Sequence, residues 1–306
     1  MQHLNSLETL QLERVWLTIG IFDGVHRGHQ QIIQKLTAGA NQNHAPAVVI
    51  TFHPHPTQAL TGSRFTYLTS PEQRAQLLGE LGVHIVITLP FDAQIASLPG
   101  KQFWAQLQQH LRVQHLLVGY DFAMGRNRDT DTNALYQLAA EYQFDFDVLP
   151  AYTLHNQIIS SSRIRSLLTE GDVAGAGELL SRPYALGGPV IPGDGRGRTL
   201  GIPTANVRVW SEQVIPARGV YACWARLNQR DTYRAAVNIG VRPTFEGSAR
   251  LQIEAHLLDF SGDLYGQHLD LEFIAMLRPE KRFEQVAHLL AQIQNDIAQT
   301  RLILTE

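Results

Sequence analysis

The sequence predicts an α/β half built on a parallel sheet, then a small antiparallel β-barrel closed by a C-terminal helix. Three observations lead there. The chain has 306 residues, about twice an ordinary domain, so two domains or one large barrel is the expectation. The first half alternates β-branched apolar runs with amphipathic helical patterns, which implies right-handed crossovers and a mainly parallel sheet. After Gly187 come only short strand-like runs divided by Gly, Pro and Asp, until a helical period returns at Pro279; that is the pattern of a small barrel. The change near residues 182–188 sets two domains, 1–182 and 183–306.

Taken in order, residues 15–22, 47–52, 84–89, 115–119 and 144–149 read as strands from apolar density and turn-like boundaries. Residues 71–81 read as a helix, with Ser70 as N-cap, Pro71 at the first helical position and Gly82 just past the end. Two further helices, 161–169 and 172–180, precede the barrel. Beyond it, Phe283, Val286, Leu290, Ile293 and Ile297 recur at steps of three and four, an apolar stripe expected to lie on the barrel. In an open parallel sheet ligands gather at the carboxyl ends of the strands, so the chemistry is sought there.

Composition narrows the function. A 44% hydrophobic and 17% charged chain is globular rather than disordered or fibrous. Its 25 basic and 28 acidic side chains give a net charge of -3, which provides no broad positive field for a nucleic acid. Phosphate binding, if present, is local. The one cysteine, Cys223, forms no internal disulfide and sits in a strand pattern as core filling. No signal peptide or bilayer-spanning run is visible, so the cytoplasm is the expected compartment.

The string GIFDGVHRGH, residues 20–29, follows the first of these strands and opens a helix. Its glycines let backbone pass close to a ligand, and the helix N-terminus near Gly28 offers unpaired N–H groups. His26 and His29, three apart, fit the same phosphates; the plainer alternative is a Gly-rich turn with two exposed histidines. FHPHP, residues 52–56, puts His53 and His55 at the same sheet edge. Four histidines raise zinc as an alternative, but a zinc site wants three or four ligands of defined spacing and Cys223 lies in the other half. Phosphate is the simpler account. In ISSSRIR, residues 159–165, the serines offer caps while Arg163 and Arg165 are suited to clamp a polyphosphate; a capped surface helix is the alternative.

GDGRGRTLGIPTAN, residues 193–206, is the densest motif. Its glycines free amides for phosphate and its arginines carry charge, but the Walker ending is absent. Thr204 and Asn206 are two apart, on one side of an extended strand, and two neutral oxygens suffice for a magnesium ion that takes its remaining ligands from phosphates and water. A Gly-rich hairpin with buried Thr and Asn is equally compatible. In LQIEAHLLDF, Leu251, Ile253, Ala255 and Leu257 alternate with Gln252, Glu254 and His256, so Glu254 faces away from the apolar side. It is either a solvated carboxylate or the group that accepts an alcohol proton in phosphoryl transfer.

GIFDGVHRGH and ISSSRIR resemble the two signature segments of the HxGH nucleotidylyltransferases. With TFHPHP and VGYDFAMG they look like the adenylyltransferase half of prokaryotic bifunctional riboflavin kinase/FAD synthetases. GRTLGIPTANV, RGVYA, NIGVRPTF, IEAHLLDFSGDLYG and LRPEKRF resemble the riboflavin kinase module. The resemblance implies a Rossmann-like first domain and a barrel kinase that together convert riboflavin to FMN and FMN to FAD, with ATP and Mg2+ as co-substrate and cofactor. It implies that His26 and His29 stabilise the adenylyl transfer, with Gly20, Phe22, Asp23, Gly24, Ser161, Ser162, Arg163 and Arg165 around the ATP and His55, Asp121 and Phe122 near the flavin. In the kinase it implies Gly193, Gly195, Gly197 and Arg198 over the nucleotide, Thr204 and Asn206 at magnesium-ATP, Glu254 as base and Arg278 on the flavin side. The sequence departs at Ser162, where threonine is frequent, at Met124, where an aromatic is common, and at Thr130, where glycine is frequent. The last two support one alternative, a monofunctional kinase with a degenerate first half. Another alternative, a flavin sensor, is opposed by the intact Thr204, Asn206 and Glu254.

Overall fold

The apolar runs of the first half become strands of one parallel sheet. In the computed structural model, which describes all residues except 194, 196, 198, 199, 244–248 and 306, the first unit spans Met1–Ser161 and the second Ser162–Glu306. The first unit runs β1 (Gln2–Leu4), β2 (Val15–Ile19), α1 (Arg27–Gln42), β3 (Ala47–His53), α2 (Pro56–Thr61), α3 (Pro71–Glu80), β4 (Ile85–Pro90), α4 (Ala93–Ser97), α5 (Gly100–Leu111) and β5 (Val113–Gly119). A short pair, β6 (Ala123–Met124) and β7 (Thr130–Asp131), then α6 (Thr132–Tyr142), β8 (Asp145–Leu149) and a second pair, β9 (Thr153–Leu154) and β10 (Gln157–Ile158), complete it. All five predicted strands are present. The sequence reading missed β1, a three-residue edge strand parallel to β4.

Sheet order is β1-β4-β3-β2-β5-β8. From β2 the chain first builds outward through β3 and β4, then returns to place β5 on the other side. The strand order therefore reverses at β2, and in such sheets the ligand crevice lies at the carboxyl ends beside that point. Core side chains fill both faces of the sheet: Leu17, Val48 and Ile50 on one, Val49, Val86 and Leu117 on the other. The predicted α3 carries a full capping box, with the Ser70 hydroxyl accepting from Gln73 N and Gln73 reaching back to Ser70 N.

The second unit opens with α7 (Ser161–Glu170), whose first residue closes the first unit, and α8 (Val173–Leu180), capped by Asp172. Six strands then close an antiparallel barrel: β11 (Tyr184–Ile191), β12 (Ala205–Val207), β13 (Gly219–Leu227), β14 (Asp231–Pro243), β15 (Ala249–Leu257) and β16 (His268–Pro279), in the order β11-β12-β15-β14-β13-β16. Ile253, Ala255 and Leu257 of β15 point inward as expected, whereas Leu251, near the strand's start, is 40% exposed. Cys223 is buried in the barrel, and burial pushes its thiol pKa well up, which suits core filling rather than reactivity.

The C-terminal helix α9 (Val286–Ile303) lies over β13, β14 and β16. Its predicted stripe needs correction. Leu290, Ile293 and Ile297 are half-buried, but Val286 is exposed and Phe283 precedes the helix; the most buried residues are polar, Asp296 and Thr300. The reason is the buried ion pair between Asp296 and Arg278 of β16.

Two candidate active sites

The loop after β2 is wound tightly. Phe22, Gly24 and Val25 take positive φ values of 51°, 80° and 43°. Two of the three are not glycine, and Val25 is β-branched, so each of those two stores about 1–3 kcal/mol of strain. Hydrogen bonds hold the loop there. The Asp23 carboxylate accepts from the Leu68 and Thr69 amides at 3.0–3.2 Å, and Gly24 N donates to Thr69 Oγ1. Ser161 Oγ donates to the Asp23 carbonyl at 2.9 Å, which ties the second signature to the first. The Asp23 side chain is thus turned into the protein, 1% exposed; what this position offers a ligand is backbone.

Beneath the loop stands a residue the sequence reading missed. Arg74 of α3 is fully buried, and its Nη1 donates to the Ile21 carbonyl at 2.6 Å and to Thr51 Oγ1 at 2.9 Å. Its Nε and Nη2 are buried with no hydrogen-bond partner among the described residues. The available signal was its place on the face of α3 that also buries Ala75 and Leu78.

His26 is the N-cap of α1, and its Nδ1 accepts from His29 N at 3.3 Å, which leaves Nε2 to carry the proton of the neutral ring. The two rings stack at 3.6 Å and 17°. His29 Nδ1 is buried without a hydrogen-bond partner among the described residues. Burial first, then His26 and Arg74, push the His29 pKa well below the ordinary histidine value. The free site therefore presents a neutral His29 imidazole at a helix N-terminus whose first turn holds no acid, an arrangement suited to accumulating negative charge.

Neighbouring loops bring other predicted residues to the same carboxyl edge. After β3, His55 caps α2 through Thr57 N and stacks on Phe65 at 3.9 Å and 15°. After β5, Phe122 N donates to the Gly119 carbonyl, and Arg128 donates to the Asp121 carbonyl at 2.8 Å. Met124 and Thr130 are each 7% exposed; Met124 belongs to the hydrophobic core and Thr130 Oγ1 donates to Asp129 Oδ1. Both departures from the pattern are inward-facing packing positions. Ser162, Arg163 and Arg165 lie in the first five residues of α7.

On the barrel the second site is a single rung. Strand register sets Asn206 of β12 opposite Glu254 of β15, Glu254 opposite Asn238 of β14, Asn238 opposite Val220 of β13, and Val220 opposite Arg278 of β16. Ile253 and Ala255 fill the interior, so Glu254 and its rung face outward. Two irregularities in the β13–β16 pairing bring Arg278 into line: without them Met276 would face Val220. A cavity of about 460 Å3 lies along this rung, bounded by Thr204, Asn206, Glu254, Asn238 and Arg278 and on the helix side by Leu289 and Ile293.

The Gly-rich loop folds onto the same place. A Cβ on Gly193 would stand 2.1 Å from Asn206 Nδ2, and one on Gly197 would stand 2.4 Å from the Ile202 carbonyl and 3.2 Å from Thr204 Oγ1. Gly195 has φ 70° and also lines the cavity. The predicted Arg198 lies outside the described residues. Pro203 is held by His256, whose Nδ1 donates to its carbonyl at 2.8 Å. Arg278 is clamped by Asp296 of α9 through bonds of 3.1, 3.1 and 2.8 Å. Asp296, 3% exposed, is a second residue the sequence reading missed, because an acid on an amphipathic helix reads as surface.

Two family models match in tandem, FAD synthetase over residues 8–163 and riboflavin kinase over residues 180–304. A bifunctional riboflavin kinase/FMN adenylyltransferase of Listeria monocytogenes is 36% identical over 93% of this chain and 91% of its own. Its Escherichia coli K12 counterpart is 38% identical over 96% and 94%.

The chain belongs to this bifunctional family. A crystal structure of a Streptococcus pneumoniae protein named as a macrolide-efflux protein is also similar, with a TM-score of 0.89 and 30% identity over 98% of both chains. That name is the other protein's; here no helix among the described residues is long and apolar enough to cross a membrane. With both modules matched and Met124 and Thr130 in the interior, the monofunctional alternative is not favoured. Among the described residues no group of three or more His, Cys, Asp or Glu is placed to hold a metal.

Proposed function

We propose that the family's two activities are divided between two separate sites in this chain: residues 183–306 phosphorylate riboflavin to FMN, and residues 1–182 adenylylate FMN to FAD. The observation that carries this reading is the outward rung from Asn206 through Glu254 to Arg278, with one cavity along it that the Gly-rich loop lines at the Asn206 end and α9 at the Arg278 end. In the kinase, Glu254 accepts the proton of the 5′-hydroxyl as that oxygen bonds to the γ-phosphorus of ATP and ADP leaves. Thr204 and Asn206 fit Mg2+, since they offer two neutral oxygens and the missing Cβ of Gly193 leaves a cradle against Asn206. When bound with ATP, the ion neutralises charge on the phosphates. Gly193, Gly195, Gly197 and Arg198 hold the nucleotide, and Arg278 holds the flavin.

In the adenylyltransferase, an oxygen of the FMN phosphate attacks the α-phosphorus of a second ATP and pyrophosphate leaves. That nucleophile is already ionised, so no general base is needed and the demand falls on alignment and on the leaving group's charge. His26 and His29 donate hydrogen bonds to that charge, with the α1 N-terminus and the 20–24 backbone, and Ser161, Ser162, Arg163 and Arg165 hold the triphosphate. His55, Asp121 and Phe122 border the flavin. The buried, free Cys223 supports a cytoplasmic setting.

Purified protein given riboflavin, ATP and Mg2+, with flavins resolved over time, tests this reading. FMN is expected first and FAD later. FMN that accumulates without FAD contradicts the two-site assignment.

A further inference from the structure

Asn238 stands at the centre of the outward rung, between Glu254 and Arg278. It is half-buried and lines the cavity. Its side chain is not spent on a hydrogen bond to any described residue. Chemistry changes along the rung in a fixed order: an amide and carboxylate at Asn206 and Glu254, an amide at Asn238, an apolar surface at Val220, a cation at Arg278. Strands lie about 4.8 Å apart, so Asn238 is roughly 5 Å from Glu254 along the rung, Val220 roughly 10 Å and Arg278 roughly 14 Å.

Riboflavin presents groups in the same order. Beyond the 5′-hydroxyl come three carbons that each carry a hydroxyl, lying roughly within one strand spacing of the 5′ oxygen, and then an apolar ring system. With the 5′-hydroxyl at Glu254 and the ring over Val220, the polyol segment falls on Asn238. A carboxamide suits it, since it donates from nitrogen and accepts at oxygen, while a hydroxyl does both.

On the kinase reading of this rung, we propose that Asn238 reads the polyol hydroxyls of the substrate and sets the preference for a hydroxylated side chain. A site built to bond such hydroxyls rejects an analogue that lacks them, because its own polar groups are left unpaired. Val220, opposite Asn238 on β13, and Ala236, two residues along β14, line the same cavity and offer no polar group in its place.

The test compares riboflavin with a flavin bearing a 5-hydroxypentyl chain, which keeps the terminal hydroxyl and lacks the other three. Phosphorylation of each is measured with the wild-type chain, Asn238→Ala and, should Ala fail to fold, Asn238→Ser. Expected for the variant is a riboflavin KM raised about tenfold, kcat within about threefold, and nearly unchanged turnover of the hydroxypentyl flavin, which also reports an intact barrel. The wild-type preference then shrinks by about tenfold. Equal losses on both flavins, or no loss on riboflavin, overturn the inference. A wild-type chain that phosphorylates neither flavin overturns the kinase reading itself.

Discussion

His29 is a buried base that the protein keeps neutral, and that has a price in acid. Its folded pKa is held well below the ordinary value by burial, His26 and Arg74, whereas in the unfolded chain it titrates at about 6.5. As pH falls through that value the unfolded state takes up a proton that the folded state refuses, so stability falls with pH. Thermal unfolding across pH 5–8 should show this, and His29→Gln, neutral at every pH, should flatten the slope; an unchanged slope argues against a buried neutral His29. Asp296 is the counterpart on the barrel. Removing its charge by Asp296→Asn frees Arg278 and should raise the riboflavin KM more than it lowers kcat, leaving FAD formation from FMN unaffected. Steady-state kinetics on the two substrates decides it, and an unaltered riboflavin KM contradicts the clamp. The histidines were legible because they sit in a motif ten residues long. Arg74 and Asp296 were less so, since each is a charged residue within a helical pattern: Arg74 is marked only by sharing a face with Ala75 and Leu78, and for Asp296 the fold alone shows the burial.

At the scale of elements, strands and caps were legible where local chemistry decides them. Ser70, Pro71 and Gln73 specify the start of α3 without help from the rest of the chain, and β3 is buried along almost its whole length, as a strand inside a parallel sheet must be. Other features depend on partners remote in sequence. Edge strand β1 exists because β4 is there to pair with it. Arg278 joins the rung through two shifts in the β13–β16 register, which leave no mark in the sequence of β16. The α9 stripe was read from apolar period alone and so missed that its inner face closes on an ion pair. The Gly-rich loop gives a prediction at this scale. Because a Cβ at Gly193 would collide with the Asn206 amide, Gly193→Ala should lower kinase kcat/KM at least about tenfold and leave the FMN adenylyltransferase rate unchanged. Kinetics of both half-reactions measure this, and a normal kinase rate would show that the loop's close approach to Asn206 is dispensable.

For the whole molecule, a length near twice one domain corresponds to two tandem family modules, and the proposed function gives each its own phosphate site. The slight negative charge is no obstacle on the proposed reading, in which each site meets phosphate locally: one with a helix N-terminus and two histidines, the other with glycine backbone and two neutral oxygens. The central claim is that these constellations act independently within one chain. Glu254→Gln tests it most directly, by giving the variant riboflavin or FMN in turn with ATP and Mg2+ and resolving the flavin products. The account predicts no FMN from riboflavin and near-normal FAD from FMN; loss of both products from a protein that still unfolds at the wild-type temperature would contradict it.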